Sequence, residues 1–109
     1  MTVRELSEKL SLTPLAIGDA DREISGVYIG DLLSWVMGRA SGDNVWITIM
    51  SNINVVAVAT LADVSCVILA EGVTLDETVR STASAKGVNV FTSEKTAYEL
   101  AALLARLEQ

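Results

Sequence analysis

The chain has 109 residues, half of them apolar, with 14 acidic against 8 basic side chains, a formal charge of −6 and a pI near 4.4. A domain of that size buries roughly 60 to 65% of the surface its unfolded chain exposes and needs no disulfide or metal staple. The charge has the wrong sign for a phosphate-backbone binder, which needs clustered Lys and Arg, so DNA and RNA are excluded as partners. The amino end, MTVRELSEKL, carries Arg4, Glu5, Glu8 and Lys9 and has no signal-peptide apolar core. Asp63 cuts the longest apolar run, which leaves no stretch of about 18 residues to span a membrane. One cysteine without a secretory signal points to a reducing cytosol, hence a cytoplasmic protein.

Thr2 and Glu5 have the spacing of a capping box for a first helix that turns Val3, Leu6 and Leu10 inward and ends by Ser11. Pro14 opens a brief strand, Leu15 to Ile17, and Gly18 to Glu23 is an exposed turn rich in charge. Gly26 and Gly30 bracket a strand over Val27 to Ile29, positions where the backbone can turn sharply or approach a ligand closely. Asp31 sits where a helix N-cap belongs, ahead of Leu32, Leu33, Val36 and Met37 at helical spacing. Gly38 to Asn44 is a loop, with Gly42 placed to terminate the helix before it.

Val45 to Met50 reads as a strand. Over Asn52 to Asp63 the β-branched Val55, Val56 and Val58 favour a strand, whereas length and the alanines favour a helix; the helix is expected. Val64 to Ala70 is a continuous apolar run, the mark of a strand covered on both faces. Thr74 and Glu77 have capping-box spacing for a helix that presents Leu75, Val79 and Ala83 and closes near Gly87. Val88 to Phe91 is another buried strand, and Thr92 or Ser93 is placed to cap the last helix. Alternating strands and helices imply an α/β fold, a mainly parallel sheet with helices on both faces, in one domain over residues 1–109.

In such a sheet a ligand sits beyond the carboxyl ends of the strands, where helix amino ends aim free N–H groups. Here those positions are Gly30 and Asp31, Ser51 and Asn52, Gly72 to Thr74, and Thr92 and Ser93. Small hydroxyl, amide and glycine residues there hold an anion or a nucleotide phosphate. They also serve as plain helix caps, and both readings stay open. Chemistry is restricted: with no histidine, Ser-His and Cys-His pairs and the commonest metal ligand are absent. No GxxxxGK[ST] phosphate loop or kinase glycine loop occurs. Cys66, mid-strand, reads as packing, and Asp19, Asp21, Glu23 and Asp31 as solvated acids with Arg22 free to pair among them, although four carboxylates could gather Mg2+. Trp35 and Trp46 read as core or interface. Tyr98, Leu100, Leu103, Leu104 and Leu107, with alanines between, make the last helix apolar beyond one inward stripe, so a homodimer through this helix is expected.

The segment DREISGVYIGDLLSWVMG, Asp21 to Gly38, together with WITIMSNINVVAVATLADV, Trp46 to Val64, resembles the DRTGG domain family. The likeness runs from about Thr2 onward and is most specific at Asp21, Arg22, Gly26, Gly30 to Ser34 and Asn54 to Asp63. It differs from the family pattern at Val27, where a second glycine is often seen, and at Met50, Ser51 and Asn52, where a Gln-Thr-His-like triplet is common. The resemblance implies a fold like the amino-terminal domain of HPr kinase and the Mur ligases. It also implies a regulatory or ligand-sensing module; with the strand exits and the glycine before Val27, the reading is a non-catalytic module for a small anionic or nucleotide-like ligand or a protein partner, with Gly26, Gly30, Asp31, Ser51, Asn52, Gly72, Thr92 and Ser93 as candidate ligand contacts. No cofactor or metal follows from it. The competing reading is a phosphotransfer accessory enzyme, which the missing phosphate cradle and cations disfavour.

Overall fold

The structure, a computed structural model, describes residues 1–107. The strands, in chain order, are β1 (Thr13–Ala16), β2 (Val27–Ile29), β3 (Val45–Thr48), β4 (Cys66–Leu69) and β5 (Val90–Thr92). They form one sheet in the order β1-β5-β4-β3-β2. β2 to β5 run parallel, and β1 pairs antiparallel with β5 at the edge, where the missing N–H of Pro14 is tolerated. Every residue of β3 and β4 is buried, as a strand covered on both faces requires.

Alternate side chains build two cores. Trp46, Val67, Leu69 and Val90 face the helices α2 (Leu33–Arg39), α3 (Ile53–Ala62) and α4 (Glu77–Ala85). Val45, Ile47, Cys66, Ile68 and Phe91 face α1 (Val3–Lys9) and α5 (Ala97–Leu107). The expected α/β architecture, mainly parallel with helices on both faces, is therefore present. The ambiguous valine-rich segment is α3: Asn52 Oδ1 accepts from the Asn54 amide at 2.9 Å, Asp63 ends it in the left-handed region, and Val55, Val56, Val58 and Ala59 are buried. Burial against the sheet outweighs the few tenths of a kcal/mol per residue by which β-branched residues disfavour helix.

Helix capping differs from expectation at four places. Asp31 is not the N-cap of α2; that position is Leu32, which makes no side-chain cap, and Asp31 turns instead toward β3. Thr74 does not cap α4, because Asp76, two residues later, accepts from the Val79 amide at 3.0 Å. Neither Thr92 nor Ser93 caps α5: Thr92 lies in β5, and the reciprocal bonds join Thr96 and Glu99, at 3.0 and 3.2 Å. Gly42 does not close α2, which ends at Ala40, and the left-handed residue of that loop is Asp43. Asx and Thr residues several places apart compete for each cap, and the one whose amide partners fall in line with the packed helix wins. The box of Thr2 and Glu5 on α1 is as expected.

The connection from β1 to β2, residues 17–26, leaves one edge of the sheet and enters at the other, so it must traverse the amino ends of β5, β4 and β3. Buried polar side chains satisfy its backbone. Asn89 accepts from the Gly18 amide at 2.7 Å and donates to the carbonyls of Asp19 and Ser65 at 2.9 and 3.0 Å. Asn44 donates to the Ser25 carbonyl at 2.7 Å. Arg22, less exposed than its partners, reaches Asp43 at 2.7 Å, the Asp63 carboxylate at 3.0 Å and the Asp63 carbonyl at 2.6 Å. Those charge-assisted bonds outweigh its partial burial and raise its pKa further. Arg22 is thus a staple across the amino edge.

Candidate functional site

Where β2 and β3 end, the chain turns through Gly30 and Asp31 and through Ile49 to Asn52. Gly30 is held by its amide, which donates to the Ile47 carbonyl at 3.2 Å, and by its carbonyl, which accepts from the buried Trp46 indole at 2.9 Å. Its backbone is not left-handed. The glycine leaves room for the Tyr28 ring, whose Cε2 an added Cβ would meet at 3.0 Å. One oxygen of Asp31, Oδ1, accepts from the Thr48 hydroxyl at 2.7 Å and from the Ile49 amide at 3.0 Å. The exposed carboxylate therefore bridges the two strand exits with a fixed orientation. On the neighbouring turn Asn52 caps α3, and the amides of Ser51, Asn52 and Ile53 donate to no acceptor among the described residues. A fixed acceptor thus stands on the strand exit beside a set of undonated helix-end amides. Thr48 and Tyr28, which shape this corner, carry no sequence signal because a strand Thr and a strand Tyr are ordinary packing residues.

At the exits of β4 and β5 the polar groups are used internally. The Gly72 amide donates to the Ser93 carbonyl and the Glu71 amide to the Lys95 carbonyl, both at 2.8 Å. The Thr92 hydroxyl donates to the Val73 carbonyl at 2.6 Å, and Ser93 Oγ accepts from the Lys95 amide at 3.2 Å. Gly72 is left-handed, and an added Cβ would come within 2.7 Å of the Glu94 carboxylate. These residues zip two loops together.

Gly26 stands apart from the other candidates, at the amino end of β2, where its left-handed backbone lies against Asn44. The four acids do not gather. Asp19, Asp21 and Glu23 belong to the amino-edge crossover and Asp31 to the carboxyl edge, with Asp21 paired to Arg4 and Glu23 to the terminal ammonium. No cluster of three potential metal ligands occurs among the described residues. A cleft of about 120 Å³ at the amino edge is lined by Asp19, Arg22, Asp63, Lys86 and Asn89, but Arg22 and Asn89 are committed to the crossover. Burial pushes the Cys66 thiol up to about 12, so it stays protonated and unreactive. Trp46 is core, whereas Trp35 is half-exposed beneath the Arg39 guanidinium, 3.7 Å from its ring centroid. On α5, Leu100 and Leu104 are buried and Leu103 and Leu107 pack on the same core, leaving Tyr98 as its large exposed apolar side chain. The apolar surplus expected there is mostly covered from within.

No helix among the described residues is long and apolar enough to cross a membrane. The fold is similar to a crystal structure of the CBS and DRTGG domains of the regulatory region of Clostridium perfringens pyrophosphatase, complexed with its activator, diadenosine tetraphosphate. The two superpose with a TM-score of 0.73 at 15% sequence identity, over 94% of this chain and 45% of that one. The chain thus spans less than half of that protein, and the likeness shows the fold. No curated protein matches it in sequence. Residues 16–107 match the DRTGG domain family, a span that holds the exits of all four parallel strands and the whole crossover, and the chain belongs to that family.

Proposed function

We propose that this DRTGG domain is a non-catalytic regulatory module that binds a small anionic or nucleotide-like ligand at the carboxyl edge of its sheet and acts as a homodimer. The observation that carries the reading is the corner between β2 and β3. There the Asp31 carboxylate is held by Thr48 and Ile49 beside the undonated amides of Ser51 to Ile53. A carboxylate acceptor suits the hydroxyls of a ribose, and amides at a helix start suit a phosphate, a division of labour found in dinucleotide-binding α/β sheets. Gly30 and Asn52 shape and cap this corner, whereas Gly72, Thr92 and Ser93 support the neighbouring loops and Gly26 supports the strand from its other end. That a structurally similar regulatory region was crystallised with a dinucleotide activator supports the ligand class.

A thermal-shift panel of adenine nucleotides, with and without Mg2+, tests this. A ligand at ten times its Kd stabilises the native state by about 1.4 kcal/mol, which for a domain near 100 residues moves the Tm by roughly 5 to 10 °C. Asp31→Asn keeps the acceptor for Thr48 and Ile49 but removes the charge, and weakens a ribose-type contact about tenfold. A panel that leaves the Tm unmoved at millimolar nucleotide rejects the ligand and moves the regulatory role to a protein partner. Turnover of ATP in the same wells favours the phosphotransfer alternative.

A further inference from the structure

Exposed apolar side chains flank the β2 edge on both sides of the sheet: Leu32 and Trp35 on the outer flank of α2, and Ile29, in register with Ile47, on the opposite face. β2 is also an edge strand, paired on one side only, by β3. An open edge beside apolar surface invites another strand. Helical geometry decides which way the surface looks. Val36 is buried and Leu33 packs on the core, so at 100° per residue Leu32, Trp35 and Arg39 share one flank of α2. In a right-handed β2-α2-β3 unit that flank points past the sheet edge, away from α3.

The charges on this flank are self-complementary. Between Val27 and Ala40 the charged residues are Asp31 and Arg39, so the face is neutral, while the whole chain carries −6. Two copies meet here without the repulsion that the rest of an acidic chain would bring. Arg39 closes α2, about 6 Å along the helix axis from Trp35, and Asp31 precedes its first turn, so the two charges lie at opposite ends of the helix. A two-fold axis through Trp35 sets the Asp31 end of each α2 against the Arg39 end of the other, as an isologous contact demands.

We infer that a second copy of this chain docks across a two-fold perpendicular to the sheet, with β2 paired antiparallel to its counterpart and α2 packed antiparallel on its counterpart through Leu32, Trp35 and Arg39. This specifies the homodimer of the preceding reading and replaces α5 as its interface. It predicts a continuous sheet with both α2 helices on one face and Trp35 covered.

Light scattering coupled to gel filtration, across 1 to 200 µM, tests it on wild type, Trp35→Glu, Arg39→Glu and the α5 variant Tyr98→Glu. Dimeric wild type and Tyr98→Glu, with at least a tenfold weaker dimer for Trp35→Glu and Arg39→Glu at unchanged circular dichroism, is the expected result. Both altered residues are exposed, so folding is retained. Acrylamide quenching gives a second reading: the Trp35 emission becomes protected as wild type is concentrated, and does not in Arg39→Glu. A wild type monomeric at 200 µM overturns the homodimer while leaving the ligand reading intact. A dimer that survives Trp35→Glu and fails in Tyr98→Glu overturns this interface alone.

Discussion

An added Cβ at Gly18 would overlap the carbonyl of Gly87, backbone against backbone, with no side chain able to move aside. Gly18→Ala is expected to cost about 3 kcal/mol, at the upper end of overpacking, as a lowered urea midpoint with unchanged m-value. Gly30 makes an instructive contrast. A glycine between a strand and a helix suggests a backbone closed to other residues, yet the constraint is the Tyr28 ring, which can rotate away. Gly30→Ala is therefore expected to cost less than Gly18→Ala in the same titration, and the reverse order would show that the Tyr28 ring cannot yield. Cys66 was legible from sequence as a core residue, and its thiol, held up to about 12 by burial, should resist alkylation at pH 8 in the native protein and react once urea unfolds it. Cys66→Ala should cost about 1 kcal/mol. Asn44 and Asn89 were not legible: an asparagine reads as a turn residue until the chain it must satisfy is brought across from far away in sequence.

Helices and strands were legible where apolar period and length agreed, as in the run that became β4, and in α3 once burial rather than propensity decided. Caps were read two to four residues away from their true positions at α4 and α5, because sequence supplies several hydroxyl or carboxylate candidates and packing selects one. The boxes that do form have a pH signature. Hydrogen bonds from Thr2 and from Thr96 hold the carboxyls of Glu5 and Glu99 below their ordinary 4.5. A carboxyl depressed in the folded state adds stability above its unfolded pKa, and that stability disappears as pH falls through the folded value. Glu99→Gln should then show a smaller loss of urea midpoint between pH 6 and pH 3 than wild type; an equal loss would show that the box adds nothing pH-dependent. Arg22→Ala, which removes the staple between the crossover and two loops, should cost about 1 kcal/mol, with the exposed Asp43 and Asp63 carboxylates adding little and the charge-assisted bond to the Asp63 carbonyl most of it.

At the scale of the molecule, the strand-helix alternation made the parallel sheet readable, whereas the β1 to β2 connection did not announce its course, since nothing in ten loop residues says that they run beneath three strands. The candidate site was half readable for the same reason: the strand exits are local, but whether their amides are free or zipped to a neighbouring loop depends on strand order. β3 and β4, buried on both faces, should exchange their amide hydrogens only through global unfolding, and β2 faster; slow exchange in β2 at high concentration would report its pairing with a second copy. The crossover also makes the two edges of the sheet unequal as raw material for change. Loops at the carboxyl edge are tied mainly to their own neighbours and can accept insertions or a different set of side chains without disturbing the cores. Any lengthening between Ile17 and Gly26 must keep a register of bonds to Asn89, Asn44, Asp43 and Asp63 at once. In a saturation library selected for folded protein alone, survivors should therefore accumulate along one rim and be scarce on the other, which would let new specificities arise on this scaffold by exchange at a single border.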